Sequence, residues 1–259
     1  MPGKSAERMI VLWICVSVIL LYLCLILWAG YKGYYFPMLN KSIHAGTKKV
    51  ACVGDSITYG FAIPNWFFHH YPYILQILLG KEYDVRNFGM SGSTAMRSAK
   101  VSYHARPPYQ KSLRFAPDLV VIMLGTNDAN AQNWKGKSTF YSEYRELLSS
   151  YQAIEGHPAV CIMTPPPLFS EEDGSHMNTN LKAVRECVFR LADDMSLSVI
   201  DLFKETQNHP DWFQADGLHP NAKGAMEIAH IVYRHISNGI NTSEAEQNAA
   251  AVSAHPAAL

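Results

Sequence analysis

Four short blocks of this chain hold residues that could together hydrolyse an ester. Gly54-Asp55-Ser56 closes a short apolar run, so Ser56 offers a hydroxyl at a strand-to-helix turn whose small neighbours leave it accessible. Asp216-Gly217-Leu218-His219-Pro220 precedes the last helical stretch. His219 can take the serine proton. Asp216, three residues earlier, can bond the far imidazole nitrogen, fixing the tautomer and stabilising the imidazolium. Acyl transfer also needs donors preorganised for the tetrahedral oxyanion. The backbone N–H groups of Ser56 and Gly89 and the side-chain amide of Asn127 are the candidates. Singly each block has a plainer reading. Gly-Asp-Ser is commonly only a turn, Gly89 a terminator, Asn127-Asp128 an N-cap, and Asp-x-x-His a capping arrangement. The ordered set is far more specific.

These residues need a frame. Apolar strand-like runs at 50–53, 83–88, 119–124, 159–163 and 197–202 alternate with helical patterns at 66–79, 140–154, 178–195 and 222–236. Continuous apolar strands alternating with amphipathic helices predict a five-stranded parallel sheet covered on both faces. In such sheets ligands bind beyond the carboxyl ends of the strands, where the four blocks fall. The expected organisation is a membrane anchor over 1–30, a juxtamembrane linker over 31–48, a catalytic domain over 49–238 and a disordered tail over 239–259.

Composition narrows the class. The 259 residues carry no net charge, which argues against nucleic-acid binding. Of five cysteines, Cys15 and Cys24 lie in the N-terminal apolar run. Cys52, Cys161 and Cys187 read as small core residues, and no Cys/His spacing suits a structural zinc. Met9 to Gly30 contains no charged residue. At a rise of about 1.5 Å per residue it matches a hydrocarbon core ~30 Å thick. It reads as an uncleaved anchor rather than a signal peptide. The lysines and arginine around it leave orientation ambiguous; the expected arrangement places the domain outside the cytoplasm.

The four blocks resemble those of the SGNH, or GDSL, hydrolase superfamily. Val53-Gly54-Asp55-Ser56 resembles its nucleophile block, Asn87-Phe88-Gly89 its glycine block, Gly125-Thr126-Asn127-Asp128 its asparagine block and Asp216-Gly217-Leu218-His219-Pro220 its final block. Ile57 stands where leucine is frequent. The resemblance covers residues 49–238. It implies a flavodoxin-like three-layer α/β/α fold, no metal or other cofactor, and hydrolysis of esters or thioesters by Ser56, Asp216 and His219. Gly89 and Asn127 would then serve the oxyanion.

The stretches between blocks resemble the sialate and carbohydrate O-acetylesterase-like group, through Asn87 to Ala95 and Gln132-Asn133-Trp134. Trp134 either stacks on a sugar ring or anchors its own loop. Asp55, Tyr103 and Arg106 are further substrate-binding candidates; with His104 and Tyr109 the latter two line the cleft or pack. His69-His70 reads as surface, while His157, His176 and His209 lack metal-ligand spacing. Asn241-Thr242-Ser243 matches a glycosylation acceptor. The leading expectation is an acetylesterase acting on a glycan or small-molecule ester, tethered to a membrane by its N-terminal helix. Lysophospholipase or acyl-thioester hydrolysis, O-acetyl transfer, and a catalytically silent binding module are the alternatives.

Overall fold

A computed structural model of the chain describes residue 9 and residues 11–25, 46–170 and 174–238. Five strands form one sheet: β1 (Lys48–Gly54), β2 (Tyr83–Gly89), β3 (Leu119–Met123), β4 (Ala159–Met163) and β5 (Ser198–Ile200). Their spatial order is β2-β1-β3-β4-β5 and every pairing is parallel. The chain steps from β1 to one edge and returns to β3 on the other side. The crevice beyond β1 and β3 is therefore the switch point at which ligands bind in open parallel sheets.

Side chains alternate across the sheet with period two. Ala51, Val53, Val120, Ile122, Val160 and Ile162 share one core with α4 (Lys137–Gln152) and α5 (Gly174–Met195). Val50, Cys52, Val121, Met123, Cys161 and Met163 enter the opposite core. There they meet α2 (Tyr71–Leu79) and α6 (Ala222–Ser237). Two dry faces explain why the strands read as unbroken apolar runs, and the three layers match the expected architecture. Cys52, Cys161 and Cys187 are buried free thiols.

Besides the fifth strand, which ends at Ile200 and gives way to a short helix at Leu202–Thr206, two elements differ from the sequence reading. The helix expected over 66–79 breaks at His70, whose extended backbone (φ −75, ψ 146) ends a turn at Trp66–His69. His70 then caps α2, its Nδ1 accepting from Tyr73 N at 3.1 Å. Pro72 lacks an N–H and so suits the first turn of the new helix. His70 is wholly buried rather than on the surface. The stretch after β2, for which no helix is expected, contains a 3-10 turn at Tyr103–Ala105 and helix α3 (Pro107–Arg114). Its opening proline pair, which suggests a break, is tolerated in a first turn where N–H groups lack partners anyway.

A helix covers residues 11–25, all exposed. Among the described residues no helix is long and apolar enough to cross a membrane. Residues 1–8, 10 and 26–30 of the expected anchor, the linker residues 31–45, the tail from 239 onward and the acceptor at Asn241 lie outside the described residues.

Candidate active site

The nucleophile candidate sits where β1 meets α1 (Ser56–Tyr59). Asp55 is the N-cap, its Oδ1 accepting from Ile57 N at 3.0 Å. Ser56 is therefore the first helical residue, a position whose amide hydrogen has no partner within the helix. A Cβ on Gly54 would lie 2.2 Å from Thr58 Oγ1 and 2.7 Å from Met123 O. Only glycine lets the helix start this close to β1 and β3.

The Asp216–His219 loop closes over that serine. Phe213 and Pro220 form an antiparallel bridge, and Gln214 N donates to His219 O at 2.8 Å. Gly217 turns the chain at φ +66, and a Cβ there would meet Ser170 N at 2.6 Å. Asp216 Oδ1 accepts from the amides of Leu218 (2.9 Å) and His219 (3.0 Å). Its Oδ2 lies 2.7 Å from His219 Nδ1, and His219 Nε2 lies 2.9 Å from Ser56 Oγ. With Nδ1–H donating to the carboxylate, Nε2 is left to accept the serine proton. Partial burial pushes the Asp216 pKa up, but the bonds from the imidazole and the two amides outweigh it and hold the carboxyl below its usual value. The geometry brings Ser56, His219 and Asp216 into one hydrogen-bonded line.

Asn127 arrives on the turn after β3. Its Nδ2 donates to Ser93 O at 3.0 Å and to Asp55 Oδ2 at 3.3 Å. Its own carbonyl accepts from Asn133 Nδ2 at 2.9 Å. Asp55 is fully buried, so it supports Ser56 and Asn127 from below instead of facing a substrate. Burial lifts its pKa to about 6, against the pull of the Ile57 amide and then His219.

The glycine assignment also changes. Gly89 N–H is committed to Asn87 Oδ1 at 2.8 Å. A Cβ on Gly89 would sit 2.3 Å from Tyr59 N, so this glycine admits the backbone of α1 against β2. Three residues on, Gly92 adopts φ +78 in the loop whose Ser93 carbonyl touches Asn127. Among the described residues its N–H makes no hydrogen bond, which leaves it free to donate. Glycine spacing alone could not separate these two roles.

The remaining candidates divide. Tyr103 is fully buried and donates its hydroxyl to Phe88 O at 2.6 Å; it is a core residue and lines no cleft. Trp134 packs its ring 6.0 Å from Phe140. Arg106 stands at the N-cap position of α3 without a side-chain capping bond, and its buried Nε has no hydrogen-bond partner among the described residues. Two neighbours escaped the sequence reading. Phe61 lies 4.8 Å from the His219 ring, and Gln214 Nε2 ties Phe61 O (3.1 Å) to Pro220 O (2.9 Å). Neither carries chemistry of its own, so no motif marks them. Among the described residues no cluster of His, Cys, Asp and Glu is placed to hold a metal ion.

Comparison with known proteins supplies a frame for this site. The model of the GDSL-like lipase/acylhydrolase family matches residues 52–226, a span that contains all four blocks. An acetylxylan esterase of Xylanibacter ruminicola is 32% identical over 205 residues, covering 71% of this chain and 42% of that protein. A multidomain esterase of Ruminococcus flavefaciens is 24% identical over 249 residues, covering 82% of this chain and 31% of its own length. The chain thus spans less than half of either relative. A solved carbohydrate acetylesterase of Sinorhizobium meliloti shares the fold, with a TM-score of 0.59 and 20% identity over 74% of this chain and 99% of that one.

Proposed function

Because this chain belongs to the GDSL-like lipase/acylhydrolase family, we propose that its folded domain is a serine esterase that removes acetyl groups from carbohydrate. The observation that carries the reading is the line from Asp216 Oδ2 to His219 Nδ1 (2.7 Å) and from His219 Nε2 to Ser56 Oγ (2.9 Å). The acetyl and carbohydrate specificity is supported by the acetylxylan esterase relative.

In the proposed reaction Ser56 Oγ gives its proton to His219 Nε2 and attacks the ester carbonyl carbon. The oxyanion forms against Ser56 N–H, Gly92 N–H and Asn127 Nδ2. The C–O bond to the leaving alcohol then breaks, and that oxygen takes the proton from His219, leaving acyl-Ser56. Water repeats the sequence and releases the acid. Asp216 keeps its charge throughout and stabilises the imidazolium.

The domain limits of 49–238 and the anchor of Met9 to Gly30 belong to the same proposal, with the catalytic domain outside the cytoplasm. An exposed helix over 11–25 without one charged side chain supports an anchor, since an all-round apolar helix needs an apolar medium.

The test is hydrolysis of p-nitrophenyl acetate, butyrate and octanoate by the wild type and by Ser56→Ala. Turnover that falls from acetate to octanoate and vanishes in Ser56→Ala, with Tm unchanged, is expected. Octanoate preference would move the substrate to lipids, and turnover surviving in Ser56→Ala would overturn the mechanism.

A further inference from the structure

The turn after β3 holds a second side chain besides Asn127. Asp128 has no exposed surface, and both its oxygens reach across to another loop. Oδ2 accepts from Ala95 N at 2.9 Å and Oδ1 from Met96 N at 2.8 Å. Asn127 Nδ2 donates to Ser93 O in the same loop. Two consecutive residues therefore grip positions 93–96 at three points. The other end of the loop is pinned where Met90 N donates to Gly54 O at 3.0 Å, next to Asp55 and Ser56. Between these anchors lie only Ser91 and Gly92.

Met90, Ala95 and Met96 pack in the core, but the loop's own hydroxyls make no hydrogen bond to another element. The hydroxyls of Ser91 and Ser93 have no hydrogen-bond partner among the described residues. Thr94 Oγ1 bonds only to Met96 O and Val101 O, nearby in the same segment. A wholly buried carboxyl is costly unless donors surround it. Here it has two, and both belong to the segment that carries Gly92. We propose that Asp128 is a positioning residue for ester hydrolysis at Ser56: by clamping the Ala95 and Met96 amides it fixes Gly92 N–H where the oxyanion forms. This rests on the serine esterase reading above.

The experiment uses the full chain, p-nitrophenyl acetate and Asp128→Asn, which keeps the side-chain shape but turns an NH2 group towards a backbone N–H. A kcat lower by about 10- to 100-fold is expected, as when an oxyanion donor is displaced, with KM held within about threefold. Amide hydrogen exchange at Ala95 and Met96 should accelerate. A folded D128N whose kcat stays within about twofold of wild type, or whose loss falls on KM alone, overturns the proposal. If D128N fails to fold, replacing Ala95 by its α-hydroxy acid removes one of the two amide hydrogens and leaves Asp128 intact. The same kcat-selective loss is expected there, and an unchanged kcat overturns the clamp. Wild-type turnover that is absent, or that persists in Ser56→Ala, instead defeats the esterase reading itself.

Discussion

Asn127 has both hydrogens of its side-chain amide in use, one on Ser93 O and one on Asp55 Oδ2. An oxyanion must displace one of them, and the bond to Asp55, longer at 3.3 Å, is the one to yield. The gain comes only as charge develops, so it belongs to the transition state and not to substrate binding. Asn127→Ala is expected to lower kcat about 100- to 1,000-fold while KM changes little, which steady-state kinetics on p-nitrophenyl acetate will show. At this scale much was legible. Ser56, Asp216, His219 and Asn127 carry side chains whose chemistry is visible in the letter code. The Gly92 amide proposed as a donor was not, because a glycine contributes only backbone and its neighbour Gly89 has an equal claim by type. What separates them is the side-chain oxygen of Asn87, which occupies the Gly89 amide and not that of Gly92.

Among the elements, α1 is the most demanding. It spans only Ser56–Tyr59 and is wedged between glycines at the ends of β1 and β2. Gly89→Ala would drive a methyl group to 2.3 Å from Tyr59 N. The atom it meets is backbone and cannot rotate away. We expect destabilisation of about 1–3 kcal/mol or more from such overpacking, read as a lower Tm, with activity lost as α1 shifts Ser56 away from His219. An unchanged Tm would show that the β2–α1 contact is looser than described. The strands were legible because burial on both faces leaves unbroken apolar runs. Helix α3 was hidden behind Pro107 and Pro108, and the break before α2 behind His70, whose capping bond to Tyr73 N is a tertiary choice no periodicity records.

For the whole molecule, two carboxyls in the interior make stability depend on pH. Burial lifts Asp128 to about 7, against the amides of Met96 and Ala95, and lifts Asp55 to about 6. Their ordinary value in the unfolded chain is 3.8. Folding therefore favours the protonated forms. The stability they contribute is complete below the unfolded value and is lost as pH rises through about 6 to 7. D128N lacks one of these groups, so its Tm deficit against wild type should shrink as pH is raised from about 5 to about 9. Thermal melts across that range decide it; a deficit that grows with pH would mean that the amide bonds, not burial, dominate.

The direction of β1 has a consequence for how the domain can be displayed. Lys48 opens the strand and Ser56 follows its far end, so the entering chain and the reactive centre lie on opposite poles, about 23 Å apart at roughly 3.3 Å per strand residue. Helix α6 runs the other way and brings His235 back beside Lys48 and Lys49, around one shallow cleft at the amino ends of the strands. Both ends of the domain thus leave from the pole remote from Ser56. A bead, a fusion partner or a tether fixed at either end would leave the mouth of the site turned towards the medium.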